Sequence, residues 1–389
     1  MRLSIAALCL ALSATTATAQ SCGGSFGDFV QRLKAEALSR GYERPVVDQF
    51  FASASYSQAV INADRAQGIF RMEFVDFTQR LISQNRLDGG RANAQRYSGV
   101  FDQINARWGI PRGMLLSFWA FETDYGGFQG DFNTRDALIT LAHDCRRPEL
   151  FLPQVYSALE LFKRGDFSTQ TTGAWAGEIG QVQMLPGDIL NHGIDGDGDG
   201  HVRLKESAPD ALMSGANLLA SFGWAPNQPW LQEVAVPDNL DWSQTGLRTK
   251  KTPQDWAAMG VQPRSGQFEA NGLPSSILLP QGRKGPAFIA YPNYETLFEW
   301  NQSFVYVTTA AYFATRLMGA PPYNPGNPDP VLSLEDMKAL QRKLAAMGYD
   351  VGDIDGILGA GTRAAVQAVQ VQLGLPADAW PTRELLNRL

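Results

Sequence analysis

Residues 111–127, "PRGMLLSFWAFETDYGG", hold an unbroken run of large apolar and aromatic side chains that ends on a carboxylic acid, Glu122. Pro111 sits where a helix opens and Gly126 where one stops. Between them Leu115, Phe118, Trp119 and Glu122 recur at i, i+3, i+4 and i+7, which places all four on one helical face. A carboxyl group on a buried stripe loses hydration when it ionises, so its pKa rises and it becomes a proton donor usable near neutral pH. The alternative is a glutamate that turns out to solvent from the last helical turn.

Outward from this segment the first half of the chain reads as helix. "FGDFVQRLKAEALSRGY", "RMEFVDFTQRLISQN" and "RYSGVFDQINARWGI" repeat apolar residues at three- and four-residue spacing, with Gly41, Gly89 and Gly109 at expected stops. From about residue 226 to 290 the composition turns to Pro, Gly and Gln, and "SSILLPQG" and "PAFIAYP" read as brief strands. Helix returns in "SFVYVTTAAYFATRLMG". Five prolines within residues 321–330 preclude helix and central strand, so 321–332 reads as a stiff linker between a domain at 25–320 and a small one at 333–389. The small domain reads as three helices, the first opened by Ser333. The fold class expected is mainly α.

Composition narrows the partners. The chain has 389 residues, 44% hydrophobic and 19% charged, with a formal net charge of -6 and no Lys/Arg block, so nucleic acid is not an expected partner. "MRLSIAALCLALSATTATAQ" has the length and the small-x-small ending of an export signal, residues 1–19, cleaved near Ala19. The context of Cys22 lacks the residues that precede a lipid-modified cysteine, and no later segment is long and apolar enough to span a bilayer, so no membrane anchor is expected. Cys22 and Cys145 would then meet in an oxidising compartment, where an even pair suggests a disulfide; two buried free thiols are the alternative.

"WAGEIGQVQMLPGDIL", residues 175–190, is a glycine-rich approach to a helix in which the Gln183 amide offers a donor and an acceptor suited to sugar hydroxyls or acetamido groups. A helix ending in E-T-x-x-G (Glu122, Thr123, Gly126), followed some fifty residues on by "AGEIGQVQMLP", resembles the membrane-bound lytic transglycosylase B type. The likeness runs across roughly residues 25–320 and includes "DCRRPELF" and "YPNYETLFEWNQSFVY". Residues 333–389 separately resemble a three-helix peptidoglycan-binding module.

The resemblance implies a lysozyme-like α+β catalytic domain, a periplasmic monomer acting on peptidoglycan glycan strands, and a single catalytic acid at Glu122. It implies substrate contacts at Gln183, Asn301, Tyr306, Arg146 and Arg147. The two guanidiniums suit a lactyl or stem-peptide carboxylate, though a solvated surface pair is equally open, and Asn301 could instead cap a helix. Trp300 stands where the family often has Tyr, and Ala174 where it often has Ser. The implied reaction cleaves the bond between N-acetylmuramic acid and N-acetylglucosamine and leaves a 1,6-anhydro end. Hydrolysis usually needs a second carboxylate, and Asp124 should point away from the Glu122 face. A hydrolytic muramidase and a non-catalytic murein-binding scaffold are the rival readings.

"DGDGDGHVRLKE", residues 195–206, places Asp195, Asp197 and Asp199 at positions 1, 3 and 5 of a calcium loop, the His201 carbonyl at 7 and Glu206 at 12. A structural Ca²⁺ is expected there, with Na⁺ as a weaker occupant; a metal-free acidic turn is the alternative. The three histidines form no H-x-x-x-H or Cys/His cluster, which argues against catalytic zinc, and no G-x-S-x-G elbow occurs.

Overall fold

The computed structural model describes residues 22–66 and 72–389, so the expected export signal lies outside the described residues. In chain order the first helices are α1 (Phe26–Ser39), α2 (Arg44–Phe51), α3 (Gln58–Arg65), α4 (Phe74–Leu81), α5 (Gln84–Arg96), α6 (Ser98–Trp108) and α7 (Arg112–Thr123). Serine side chains at 25, 57 and 83 accept the N3 backbone N–H and so fix where α1, α3 and α5 begin. The spacing rule put a helix stop at Gly89, but α5 runs through Gly89 and Gly90. Gly90 lies beneath α14 (Phe304–Leu317), where a Cβ would come 2.3 Å from Leu317 Cδ2. The glycine there permits a close crossing and does not end a helix.

The stretch at 111–127 forms α7, capped by Pro111, and it is the middle of the molecule. Met114 through Ala120 are all buried, so α7 is covered on nearly every side instead of along one stripe, as an all-apolar sequence requires. Within that buried run Ser117 Oγ donates to Ala310 O of α14 at 2.7 Å.

Beyond α7, the two-residue strands β1 (Phe132–Asn133) and β2 (Thr172–Gly173) pair antiparallel around α8 (Thr134–His143) and α9 (Pro148–Arg164). Then come α10 (Pro186–His192) and α11 (Ala208–Ser221). A second lobe holds β3 (Leu231–Ala235), α12 (Pro253–Ala258), β4 (Gln262–Pro263), β5 (Ser276–Leu278) and β6 (Ala287–Ala290). Its strands form one antiparallel sheet in the order β4-β3-β6-β5 over a core of its own around Trp256 and Ile289. The two runs expected as brief strands are β5 and β6. α13 (Pro292–Trp300) and α14 return the chain to the helical body.

Residues 320–333 contain no helix or strand, as their prolines dictate. They do not swing free: Tyr323 packs against Phe74, Phe288 and Tyr312, and Asn324 N–H donates to Glu233. The C-terminal helices α15 (Leu334–Ala346), α16 (Ala360–Gln372) and α17 (Arg383–Arg388) enclose a small core of Leu340, Leu344, Val366 and Leu385. Ser333 caps the first of them. Cys22 and Cys145 are disulfide-bonded, tying the start of the described chain to the segment before α9.

Candidate active site

Glu122 lies on the last turn of α7, and the backbone then turns sharply, with Asp124 and Tyr125 both at positive φ. Thr123 explains why that turn holds: its Oγ1 donates to Gln181 O at 2.6 Å and accepts Gly126 N–H at 2.9 Å. The E-T-x-x-G spacing therefore locks the end of α7 to the loop at 174–184. In that loop Gly177 and Gly180 make room for protein. A Cβ at either would strike Leu138 or Leu204, at 2.2 and 2.4 Å.

Two aromatic donors hold one oxygen of Glu122. Trp300 Nε1, at the end of α13, donates to Oε1 at 3.1 Å, and Tyr306 OH, in the first turn of α14, donates to the same atom at 2.5 Å. Trp300 in turn stacks on Phe118, one turn back on α7, with ring centroids 4.2 Å apart. Among the described residues no donor reaches Oε2. Burial pushes the Glu122 pKa up, while the bonds from Tyr306 and Trp300 pull it partly back. Of the two ways Glu122 could have turned, the carboxyl stays inside, on the floor of a cleft of about 1360 Å³.

That cleft is walled by Ala174, Trp175, Glu178 and Gln183 on one side, and by Trp300 and Asn301 on another. The C-terminal module supplies part of the rim through its turn at 350–361. Within that turn Asp355 Oδ1 accepts Ile357 N–H at 2.8 Å, which holds the turn. Gln183 lines the cleft, with its amide nitrogen spent on Gly180 O at 2.8 Å. Asn301 also lines it, and its carbonyl accepts Ser303 N–H at 2.8 Å, so it combines a local turn with exposure to the cleft.

The two arginines are differently placed. Arg146 and Arg147 both bind the carboxylate of Asp64, which is 2% exposed and also receives Arg65, so its charge is more than neutralised. Among the described residues neither arginine lines the cleft, although Ala63 and Ala66 beside Asp64 do. Asp124 is exposed and pairs with Arg86 at 3.0 Å, leaving the Glu122 face as expected. A second acid on the wall beside Glu122 is Glu178, which the sequence reading passed over although it stands inside the quoted 175–190 motif; Asp350, Asp353 and Asp355 of the C-terminal module also line the cleft.

The acidic loop folds as a turn on Asp195, whose carboxylate accepts N–H groups from Gly198, Asp199 and Gly200. The carboxylates close enough to share one ion are Asp195, Asp197 and Asp210; Asp199 and Glu206 are not among them. Asp210, fully buried near the start of α11, accepts from Gly196 N, Asp197 N, Arg203 N and Ser207 Oγ, so it braces the loop from inside. The His201 ring is engaged through Nδ1 with Asp166 at 2.8 Å.

The description of the Transglycosylase SLT domain family fits residues 25–315, three quarters of the chain. The chain belongs to the SLT transglycosylase family. A putative peptidoglycan binding domain matches residues 333–389. Membrane-bound lytic murein transglycosylase B of Escherichia coli strain K12 is 27% identical over 235 residues, a stretch that spans 59% of this chain and 63% of that protein. SltB3 of Pseudomonas aeruginosa, solved in complex with NAG-anhNAM-pentapeptide, superposes with a TM-score of 0.86 at 34% identity, covering 94% of this SLT transglycosylase and 99% of SltB3. The Escherichia coli transglycosylase Slt35 in complex with calcium shares the fold, with a TM-score of 0.64 at 21% identity over 78% of this chain and 97% of that one. No described helix of this family member is long and apolar enough to cross a membrane.

Proposed function

We propose that the protein is a periplasmic lytic transglycosylase that cleaves the β-1,4 bond between N-acetylmuramic acid and N-acetylglucosamine in peptidoglycan. The observation that carries this reading is the Glu122 carboxyl: desolvated, held at Oε1 by Trp300 and Tyr306, and open to a long cleft at Oε2. Protonated Glu122 donates to the glycosidic oxygen as the bond breaks. The resulting carboxylate then takes the proton of the muramyl C6 hydroxyl, whose oxygen closes on C1 to give the 1,6-anhydro ring, and no water is consumed. Trp300 and Tyr306 steady the carboxylate between the two transfers. The SltB3 complex with an anhydro-muramyl fragment supports the reading.

Gln183 and Asn301 are the substrate contacts best placed for it, because both line the cleft. Tyr306 acts on the acid rather than on the sugar. Export through residues 1–19, a domain at 25–320, a linker at 321–332 and a wall-binding module at 333–389 complete the proposal. Hydrolysis is the second reading, favoured by Glu178 as a second acid in the same cleft. Digestion of purified sacculi with wild type and Glu122→Gln, read by mass spectrometry, decides between them. Anhydro ends that vanish in the variant, with turnover down by about 10³-fold or more, are expected; reducing ends would establish the hydrolase, and unchanged turnover would remove Glu122 from the chemistry.

The loop at 195–206 fits a hard cation through the carboxylates of Asp195 and Asp197 and the His201 carbonyl, braced by Asp210. Asp199 and Glu206 stand at loop positions that could complete the oxygen set. Ca²⁺ bound there would stiffen the loop without entering the chemistry. Melting the calcium-loaded protein with and without EDTA tests this: the chelator should lower Tm, and an unaltered Tm argues against a stabilising ion.

A further inference from the structure

The C-terminal module reaches further into the catalytic domain than docking requires. Arg363, on α16, carries its guanidinium across the boundary: Nη2 donates to Pro280 O at 2.8 Å, and Cζ lies 4.6 Å from the centroid of the Phe304 ring and 5.9 Å from that of Trp380. Its Nε is buried with no partner, and among the described residues it forms no salt bridge. Glu73 at the cap of α4, Tyr294 of α13 and Asp378 act on it by charge alone, and burial still pushes its pKa down to about 10. Asp378 is paired instead with Arg283. A desolvated cation without a salt bridge is a costly way to join two surfaces, and an apolar side chain of similar volume often joins them better. What the cation gains here is the face of Phe304, which attracts a desolvated guanidinium more strongly than a hydrated one.

Phe304 is the first residue of α14, and only residues 301–303 separate it from Trp300 at the end of α13. Trp300 and Tyr306 supply both hydrogen bonds to Glu122 Oε1. Trp300 is fixed by its stack on Phe118. Tyr306 depends on the first turn of α14, where Ser303 Oγ accepts its N–H at 3.3 Å, and on Phe121, which meets its ring edge-on. One side of that turn has little behind it, since Asn301 through Val305 all line the cleft. Arg363 backs Phe304 from the module, two positions before Tyr306. Hydrogen bonds weaken steeply with misalignment, so a small shift of this turn is felt at the Tyr306 hydroxyl.

We propose that Arg363 is a positioning residue for the catalytic acid: seated on Phe304, it fixes the first turn of α14 and thereby the Tyr306 hydroxyl on Glu122. This rests on the role given to Glu122 in the transglycosylase reading, and it gives the C-terminal module a part in shaping the active site besides wall binding. Burial, Tyr306 and Trp300 set the Glu122 pKa, Glu122 and Glu178 repel one another, and Arg86 acts on Tyr306. All of these groups belong to the catalytic domain, so Arg363 reaches the acid through the turn that carries Tyr306.

Kinetics of the full-length protein on soluble, peptide-free glycan strands, with the released ends read by mass spectrometry, test this. Losing the Tyr306 bond removes an interaction that favours the carboxylate, so Tyr306→Phe carries the alkaline limb of the kcat profile to higher pH. Arg363→Met should carry it the same way and lower kcat by about 10-fold, within what a displaced catalytic group costs, with KM changed less. Phe304→Leu, which leaves every charge in place, should do the same. Arg363→Lys, which keeps a cation over the ring, should recover part of the loss. In the Tyr306→Phe background neither Arg363→Met nor Phe304→Leu should move the limb further. A limb unmoved in both single variants, or a rise in KM alone, overturns the proposal and leaves Arg363 a docking residue. A limb moved by Arg363→Met but not by Phe304→Leu, or moved again in the Tyr306→Phe background, also overturns it, because the effect then belongs to charge acting at a distance. If Arg363→Met does not fold, Phe304→Leu, which keeps the bond to Pro280, decides the matter alone. Reducing ends in place of anhydro ends, with the limb shifts intact, overturn the transglycosylase reading and leave Arg363 in its role.

Discussion

Glu122 is tuned by opposing effects of unequal size. Burial raises its pKa, and the two aromatic donors, which favour the charged form, lower it by less. A general acid works while protonated, so activity should fall as pH rises through that elevated pKa. Tyr306→Phe removes a bond that stabilises the carboxylate, so the pKa should climb further and the alkaline limb of the kcat profile should move to higher pH. kcat itself should drop by about 10-fold or more, because the second step needs the carboxylate steadied. A pH–rate comparison of the two proteins checks this, and a limb that moves down would show that Tyr306 does not act on the acid. The place of Glu122 on a buried face was legible from i, i+3, i+4, i+7 spacing, although a turn out to solvent stayed open on position alone. Its partners were not, since Trp300 and Tyr306 stand 178 and 184 residues away and only the packing of α13 and α14 against α7 brings them to Oε1. Glu178 was missed for a related reason: a glutamate between glycines reads as an ordinary loop acid until the fold buries it.

At the scale of elements, apolar periodicity marked the long helices well because each buries a face. It failed where a glycine serves packing. α5 carries Gly89 and Gly90 in mid-helix, and propensity alone says that Gly90→Ala gains up to about 1 kcal/mol. The added Cβ would lie 2.3 Å from Leu317 Cδ2 and 2.7 Å from Tyr125 OH, which is itself fixed on Arg86 O. Overpacking of that kind costs about 1–3 kcal/mol, so the clash should win and Tm should fall. Gly99 in α6 is the control, with nothing within 4 Å of a built Cβ; Gly99→Ala should stabilise by a few tenths to about 1 kcal/mol. Thermal melts of the two single variants should therefore move in opposite directions. The calcium loop shows the same limit from the other side. Its alternating aspartates follow a spacing rule, whereas Asp210 lies beyond the twelve-residue window and is recruited by the N-terminus of α11.

Over the whole molecule the C-terminal module is a wall of the cleft rather than a tether on a spacer. Arg363 Nη2 donates to Pro280 O at 2.8 Å, Gln367 Nε2 to Trp242 O and Thr245 O, and Trp380 Nε1 to Asp329 O. All four of these acceptors are backbone carbonyls, which every residue carries, so these contacts leave no signal in the sequence. The proline run says only that the connection is neither helix nor strand. Glu73, at the start of α4, senses this docked arrangement: burial raises its pKa to about 7, and the positive charge of Arg363 from the module opposes that rise. The folded protein therefore holds a proton on Glu73 that the unfolded chain, with an ordinary glutamate pKa, has already released. Its contribution to stability is complete below the ordinary glutamate range and is lost as pH climbs to about 7. Glu73→Gln, neutral at every pH, should melt near wild type at pH 4 and above it at pH 8. Calorimetry of both proteins at the two pH values measures the difference directly. An equal offset at both would mean that Glu73 ionises freely and that the packing around Arg363 does not hold its proton in place.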